Sequence, residues 1–325
     1  MKPIFPIALL ICILPLTAVS EDKASEQLLM DARHQANIFH KDAEPFQLEA
    51  DFSAQTQLPL QGHVTLKWES RDHWWRKIVM ADFVQVDIHN AERQYTVRNA
   101  AFTPQIVQEL TRLLEFNDYA TGTVKKQKRS SEGGTDLTCL HMEKKGLGHM
   151  TYEICINPAA LEIVRNESTF VPDDKHIERY TEYSDFQGRR YPRKLELLAN
   201  GSKLISLTIK DLASSAFDEA LLMPPKGAIE RSFCKGMVPP VPIKTPDPLY
   251  PKSASENRMM GDTVVTLTIL TDGSVGDVQL LESATQSMNS ATLQTLKTWK
   301  FKPAMCGTEP VITDISVAVS FRLGP

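Results

Sequence analysis

The residues with which this chain could do chemistry are its cysteines, its scattered histidines and a tryptophan cluster at Trp68, Trp74 and Trp75. His141 and His149 flank a turn near Cys139, which would suit a metal only with third and fourth ligands at fitting spacing. None stands nearby, so surface histidine is the expected role. No Gly-rich phosphate loop, Gly-x-Ser-x-Gly elbow or His-Glu-x-x-His helix occurs. The acidic residues form no acid/base pair visible along the chain. The expectation is a protein with no catalytic residue, no metal site and no cofactor, one that binds rather than converts.

What the cysteines do depends on the compartment. Lys2 precedes an apolar run from Ile4 to Leu16, and Ala18-Val19-Ser20 supplies small residues where a signal peptidase would read them. Pro3, Pro6 and Pro15 make a poor spanning helix, and the run is shorter than the roughly 20 apolar residues a bilayer needs. Residues 1–20 therefore read as a signal peptide cleaved after Ser20, placing the mature chain in the periplasm. The alternative is an inner-membrane anchor through residues 4–16. Bulky Ile11 before Cys12 argues against a lipid anchor. Cys139, Cys155, Cys234 and Cys306 remain, an even number that suits disulfides in an oxidising compartment. Three pairings are open. In one, Cys139 faces Cys155 across a hairpin, and Cys234 with Cys306 ties a linker to the C-terminal region.

Length and charge narrow the class. A chain of 325 residues suggests two domains. A net charge of −4 argues against a nucleic-acid partner. The basic run Lys125-Lys126-Gln127-Lys128-Arg129, beside Gly133 and Gly134, reads as a solvated loop.

These residues must be positioned by elements that hydropathy outlines. Ser25 to Phe39 carries a helical stripe, and Thr103 to Glu115 a second helix, with Thr103 as cap and Pro104 in the first turn. Around them lie short alternating runs, beginning with Phe46, Leu48, Ala50 and Phe52, and continuing at Val64 to Trp68, Trp75 to Met80, Phe83 to His89 and Arg93 to Arg98. More follow between Leu137 and Leu212. The pattern predicts a curved antiparallel sheet partly wrapped around helices over residues 21–222. Eight prolines between Met223 and Pro251 predict an extended, semi-rigid connector, with 223–247 as linker and 248–325 as the second domain.

In that second domain Thr263, Val265, Leu267 and Ile269 share one face of a strand, and Asp272-Gly273 marks a hairpin turn. Val275 to Leu281 is the returning strand, Asn289 to Lys300 a helix, and Val311 to Phe321 a last strand. Tyr250-Pro251-x-x-Ala254, Gly261, Ile269-x-x-Asp272-Gly273, Ser283 and Trp299-x-Phe301-x-Pro303, in register over residues 248 to 323, resemble the TonB C-terminal family. Thr263, where that family usually has Val, and Cys306 are departures. The strand at 46–52 and Gly62-x-Val-x-Leu-x-Trp68 followed by Trp74-Trp75-Arg76 resemble LolA-like lipoprotein-carrier domains, which implies a half-barrel around an apolar cavity. The fold class is thus α+β: a curved antiparallel sheet with helices, as a LolA-like half-barrel, followed by a small α/β TonB-type domain with a three-stranded antiparallel sheet.

The first resemblance implies a partner: an extended peptide of an outer-membrane TonB-dependent receptor, or of another envelope protein, added as a strand to a sheet edge. The edge expected is Val311 to Phe321, with Val311, Thr313, Asp314, Ser316, Ala318 and Ser320 on it. The same edge would serve a homodimer. The second resemblance implies the alternative, a carrier of lipid, lipoprotein or another apolar ligand, with Trp68, Trp74, Trp75 and Phe83 lining the pocket and the TonB-like domain as docking module. A connector of about 30 residues reaches roughly 90 Å at most, short for a chain that transmits force across the periplasm by itself.

Overall fold

The computed structural model describes residues 21–55, 59–91, 93–115, 123–143, 151–171, 174–231, 234 and 236–323. The expected signal peptide and His149 lie outside them. Among the described residues no helix is long and apolar enough to cross a membrane.

The first half is built from α1 (Glu21–Ala36), β1 (Phe46–Gln55), β2 (Pro59–Trp68), β3 (His73–Met80), β4 (Phe83–Asn90), β5 (Arg93–Arg98), α2 (Gln105–Leu114), β6 (Thr123–Glu132), β7 (Thr135–Glu143), β8 (Thr151–Asn157), β9 (Glu162–Val171), β10 (Asp174–Phe186), β11 (Arg189–Ala199), β12 (Ser202–Ser214) and β13 (Ile229–Arg231). All thirteen strands form one antiparallel sheet in the order β13-β5-β4-β3-β2-β1-β12-β11-β10-β9-β8-β7-β6. The chain meanders outward from β1 to β5, crosses through α2 to the far edge at β6, and meanders back to β12 beside β1. A sheet this broad curls. Inside the curl, Leu29, Ala32 and Ala36 of α1 and Val107, Leu110, Leu113 and Leu114 of α2 share one core with Phe46, Leu48, Ile78, Leu195 and Ile205.

The basic run 125–129 is not a loop but the middle of β6, the outermost strand. Its backbone finds partners on β7, while Glu153 and Glu143 pair with Lys128 (2.7 Å) and Lys125 (3.7 Å). Charged side chains on an edge strand also discourage unwanted strand addition. Thr103 does not cap α2. Pro104 stands at the cap position, and the Thr103 hydroxyl turns to Gln85 and Asp277 instead.

The second half contains β14 (Val241–Lys244), α3 (Lys252–Glu256), β15 (Gly261–Ile269), β16 (Val275–Glu282), α4 (Gln286–Leu296), β17 (Lys300–Lys302), β18 (Ala304–Cys306), β19 (Glu309–Val311) and β20 (Thr313–Phe321). Its main sheet is β16-β15-β20, antiparallel, with Val265, Leu267, Ile269, Val278 and Leu280 packed against Leu293 and Leu296 of α4. The helix begins earlier than its apolar pattern because the Thr285 hydroxyl accepts from Met288 N–H. It ends at Leu296, and residues 300–302 leave it to pair with β14.

The proline-rich segment is extended, as its composition requires, but it is not a free span. Ile229–Arg231 joins the first sheet beside β5, and Val241–Lys244 joins β17 of the second half. Val238 and Met305 exchange backbone hydrogen bonds, and Trp299 Nε1 donates to Pro246 O at 2.8 Å. Extended prolines leave their carbonyls unpaired, and neighbouring edges use them. Two disulfides add covalent ties. Cys139–Cys155 joins directly opposed positions of β7 and β8, and Cys234–Cys306 fastens the connector to β18.

At the Asp272-Gly273 turn, Gly273 has φ +77°, and a Cβ there would lie 1.8 Å from Phe301 O, whose own N–H donates to Gly273 O. Gly273→Ala is expected to destabilise the second half by about 3 kcal/mol or more, read as a fall in the urea midpoint. An unchanged midpoint would show that the turn is not held against Phe301.

Candidate functional site

The two outer strands of the C-terminal sheet meet different surroundings. Along β16, Gln108 of α2 lies like a short extra strand, its Nε2 donating to Val278 O (2.9 Å) and its Oε1 accepting from Leu280 N–H (2.8 Å). Beside it Asp277, fully buried, accepts from Arg98 (3.3 Å), from Thr103 N–H (3.2 Å) and from the Thr103 hydroxyl (2.9 Å). Arg98 is 3% exposed. Burial pulls its pKa below the usual guanidinium value, Asp277 opposing. Arg98 also donates to Gly276 O and Ala101 O, so the charge is met from both halves. The β16 edge is therefore occupied by the chain's own first half.

On β20 no described strand pairs the outer side. Which main-chain groups face outward follows from the opposite edge. Val278 N–H is taken by Asp277 and Leu280 N–H by Gln108, so both residues turn away from β15. Their register partners Leu267 and Val265 then direct their groups to β20, at Ile315 and Val317. By strict alternation, the N–H and C=O of Ser316 and Ala318 face the open edge. The side chains of Ser316, Ala318 and Ser320 are exposed on the face opposite Ile315, Val317 and Val319, which pack toward α4.

The open edge is shorter than the apolar run suggested. Val311 belongs to β19 and pairs with Ala304. Thr313 is buried. The Asp314 side chain is held by Arg231 (3.0 Å) and by the Thr268 hydroxyl (2.7 Å), and Ser320 donates to Asp262 at 2.6 Å.

A second feature lies inside the curl of the first sheet. A cavity of about 450 Å³ is walled by Phe39, Leu66, Trp68, Trp74 and Leu114, with Asn37, Arg71, Arg76 and Glu115 as its polar lining. Trp68 stacks on Phe46 at 5.1 Å, and Arg76 lies over the Trp74 ring at 5.4 Å. Trp75 and Phe83 are not part of it. Trp75 neighbours Trp74 along a strand, so it points to the other face, where it packs with Ile88, Tyr95 and Leu222. Phe83 is buried in the main core. Arg76 is bound by Asp87 (3.1 Å) and Glu115 (2.9 Å); burial works against its charge, but the two carboxylates outweigh it and raise its pKa. Among the described residues the one group at metal-ligating distances is Cys139, Glu153 and Cys155, and its two sulfurs are bonded to each other.

Arg98, Gln108, Arg231 and Asp277 were not marked by any motif. Asp277 alone left a trace, an acid inside the apolar run of β16.

Residues 246–323 match the family model described as the Gram-negative bacterial TonB protein C-terminal. Protein TonB of Pseudomonas aeruginosa is 28% identical over 100 residues, 30% of this chain. The chain spans only 28% of that protein's length. The solution structure of the Pseudomonas aeruginosa TonB C-terminal domain aligns over 28% of this chain and 98% of its own, with 25% identity and a TM-score of 0.25. A LolA superfamily protein from Nitrosomonas europaea aligns over 61% of this chain and 96% of its own, with 11% identity and a TM-score of 0.43.

Removing Asp277 strands the buried Arg98 charge. Asp277→Ala is expected to cost about 3–5 kcal/mol by urea denaturation, and Asp277→Ala with Arg98→Leu less than the single change. A double variant weaker than the single would contradict the pairing.

Proposed function

We propose that this chain is a non-enzymatic periplasmic protein of the cell envelope whose C-terminal domain captures an extended peptide of an outer-membrane receptor by adding it as a strand to β20. The observation that carries this reading is the asymmetry of the sheet edges. The β16 edge is filled by Gln108, whereas Ser316 and Ala318 present main-chain donors and acceptors that no described strand pairs. The likeness of residues 246–323 to the TonB C-terminal region supplies the partner class. Affinity would come from main-chain hydrogen bonds, with side chains of the outer face adjusting register. The same edges could join two copies, and the peptide would then compete with dimerisation.

A second reading is a carrier of lipid or another apolar ligand, with the C-terminal domain as its docking module. What favours it is the cavity beside Trp68 and Trp74, whose volume falls within the range of ligand sites.

The alternation on β20 makes the first reading sharp. Ala318→Pro removes an outward N–H and leaves the β15 ladder whole, so the domain should fold while binding of extended receptor peptides weakens by about tenfold or more. Ser316→Ala should change affinity by less than about threefold, since its side chain is not the binding group. Titration of labelled peptides followed by fluorescence anisotropy, with the urea midpoint of the variant as the folding control, checks both. Wild-type affinity in a folded Ala318→Pro variant would refute strand addition at this edge.

A further inference from the structure

The cavity and the C-terminal sheet are joined by a continuous set of buried polar side chains. Arg76, on the cavity wall, holds Glu115 at the end of α2 and Asp87 on the next strand. Asp87 also accepts from Gln85 (3.1 Å) and from the Thr96 hydroxyl (3.0 Å). From there two branches reach the second half. Through Gln85, the line passes to Thr103, whose hydroxyl lies 2.9 Å from both Gln85 Oε1 and Asp277 Oδ2; its single proton serves one of them at a time. Through Thr96, it passes to Arg231 (3.1 Å), and from Arg231 to Thr268 and to Asp314 on β20.

A second, mechanical link runs beside the polar one. Helix α2 spans ten residues, about 15 Å. Its C-terminal end, Leu114 and Glu115, lines the cavity, while Gln108 near its start fills the β16 edge. The C-terminal end is held by the Tyr191 hydroxyl, which donates to Leu114 O at 2.7 Å, and by Arg76 on Glu115. A packed helix of this length moves as a body, because interiors are too dense to absorb a shift locally.

We propose that the cavity is a regulatory site whose occupant, an apolar molecule bearing an anionic group, loosens the docking of the C-terminal domain through α2 and the Arg76–Asp87 network. The proposal rests on the reading of the cavity as a ligand site. The aromatic and aliphatic walls suit the apolar part. The anionic group competes with Glu115, which is more than half exposed, for the Arg76 guanidinium. Losing Glu115 frees the end of α2, and Gln108 then yields at β16. By linkage the effect is reciprocal: the undocked form must bind the occupant more tightly than the docked form by the factor by which the occupant weakens the dock.

The test uses the whole protein with dodecanoate as probe, its binding followed by calorimetry and the dock by hydrogen–deuterium exchange. Saturating probe should speed exchange of the Leu280 amide, which donates to Gln108, by fivefold or more. Thr103→Val, which cuts the Gln85 branch of the polar line without touching the cavity, should show fast Leu280 exchange before any probe is added and bind dodecanoate more tightly. Trp74→Ala should lose both the binding and the probe's effect. Dodecanoate bound with Leu280 exchange unchanged or slower overturns the coupling while leaving the cavity a ligand site. Absence of dodecanoate binding up to its solubility limit overturns both the coupling and the carrier reading, and leaves strand addition at β20 unaffected.

Discussion

A carboxylate can be buried only where donors surround it. Asp277 meets that requirement partly within its own strand, from Val278 N–H and Gln279, and partly with groups from the other half of the chain: the Arg98 guanidinium and the Thr103 amide and hydroxyl. The C-terminal domain alone leaves it without its charged partner, which only Arg98 of the first half supplies. Docking is thereby built into the chemistry of one side chain, and the Gln108 contact to Val278 and Leu280 falls beside it. One edge of the three-stranded sheet is consumed in this way, which leaves β20 as the edge that no described strand pairs and the one to which strand addition is proposed.

The rest of the architecture keeps that dock in place. The five-strand excursion from β1 to β5 brings Arg98 and Thr96 to the second half, and the crossover through α2 brings Gln108. The connector, stitched to β5 at one end and to β17 and β18 at the other, leaves little slack between the halves. Arg231, on the last strand of the first sheet, reaches Asp314 at the start of β20. Both edges of the C-terminal sheet are thus touched by the first half, one along its length and one only at its beginning.

Much of this was legible in the residues. Period-two alternation marks β1 to β5, the Asp272-Gly273 turn lies where a positive φ is needed, and the series from Tyr250 to Pro303 carries the family pattern. The two disulfides join cysteines of which one pairing had been anticipated among three. What could not be read depends on contacts distant in the chain. Nothing local to Lys125–Arg129 reveals that β7 waits to pair with it, and nothing in a proline-rich run reveals which carbonyls a neighbour will use. Gln108 and Asp277 are 169 positions apart, and each looks like an ordinary polar residue until the fold brings them together. Trp74 and Trp75 were legible in principle. The alternation that marks their strand sends them to opposite faces, so only Trp74 joins Trp68 at the cavity.

The central claim is that a partner strand meets β20 because β16 is already taken. Amide hydrogen exchange of the full chain, free and saturated with an extended receptor peptide, tests it most directly. New protection should appear at Ser316 and Ala318, with Val278 and Leu280 unchanged. Protection gained at Val278 and Leu280, with Ser316 and Ala318 still exchanging freely, would mean that the peptide displaces Gln108, and the account would fail.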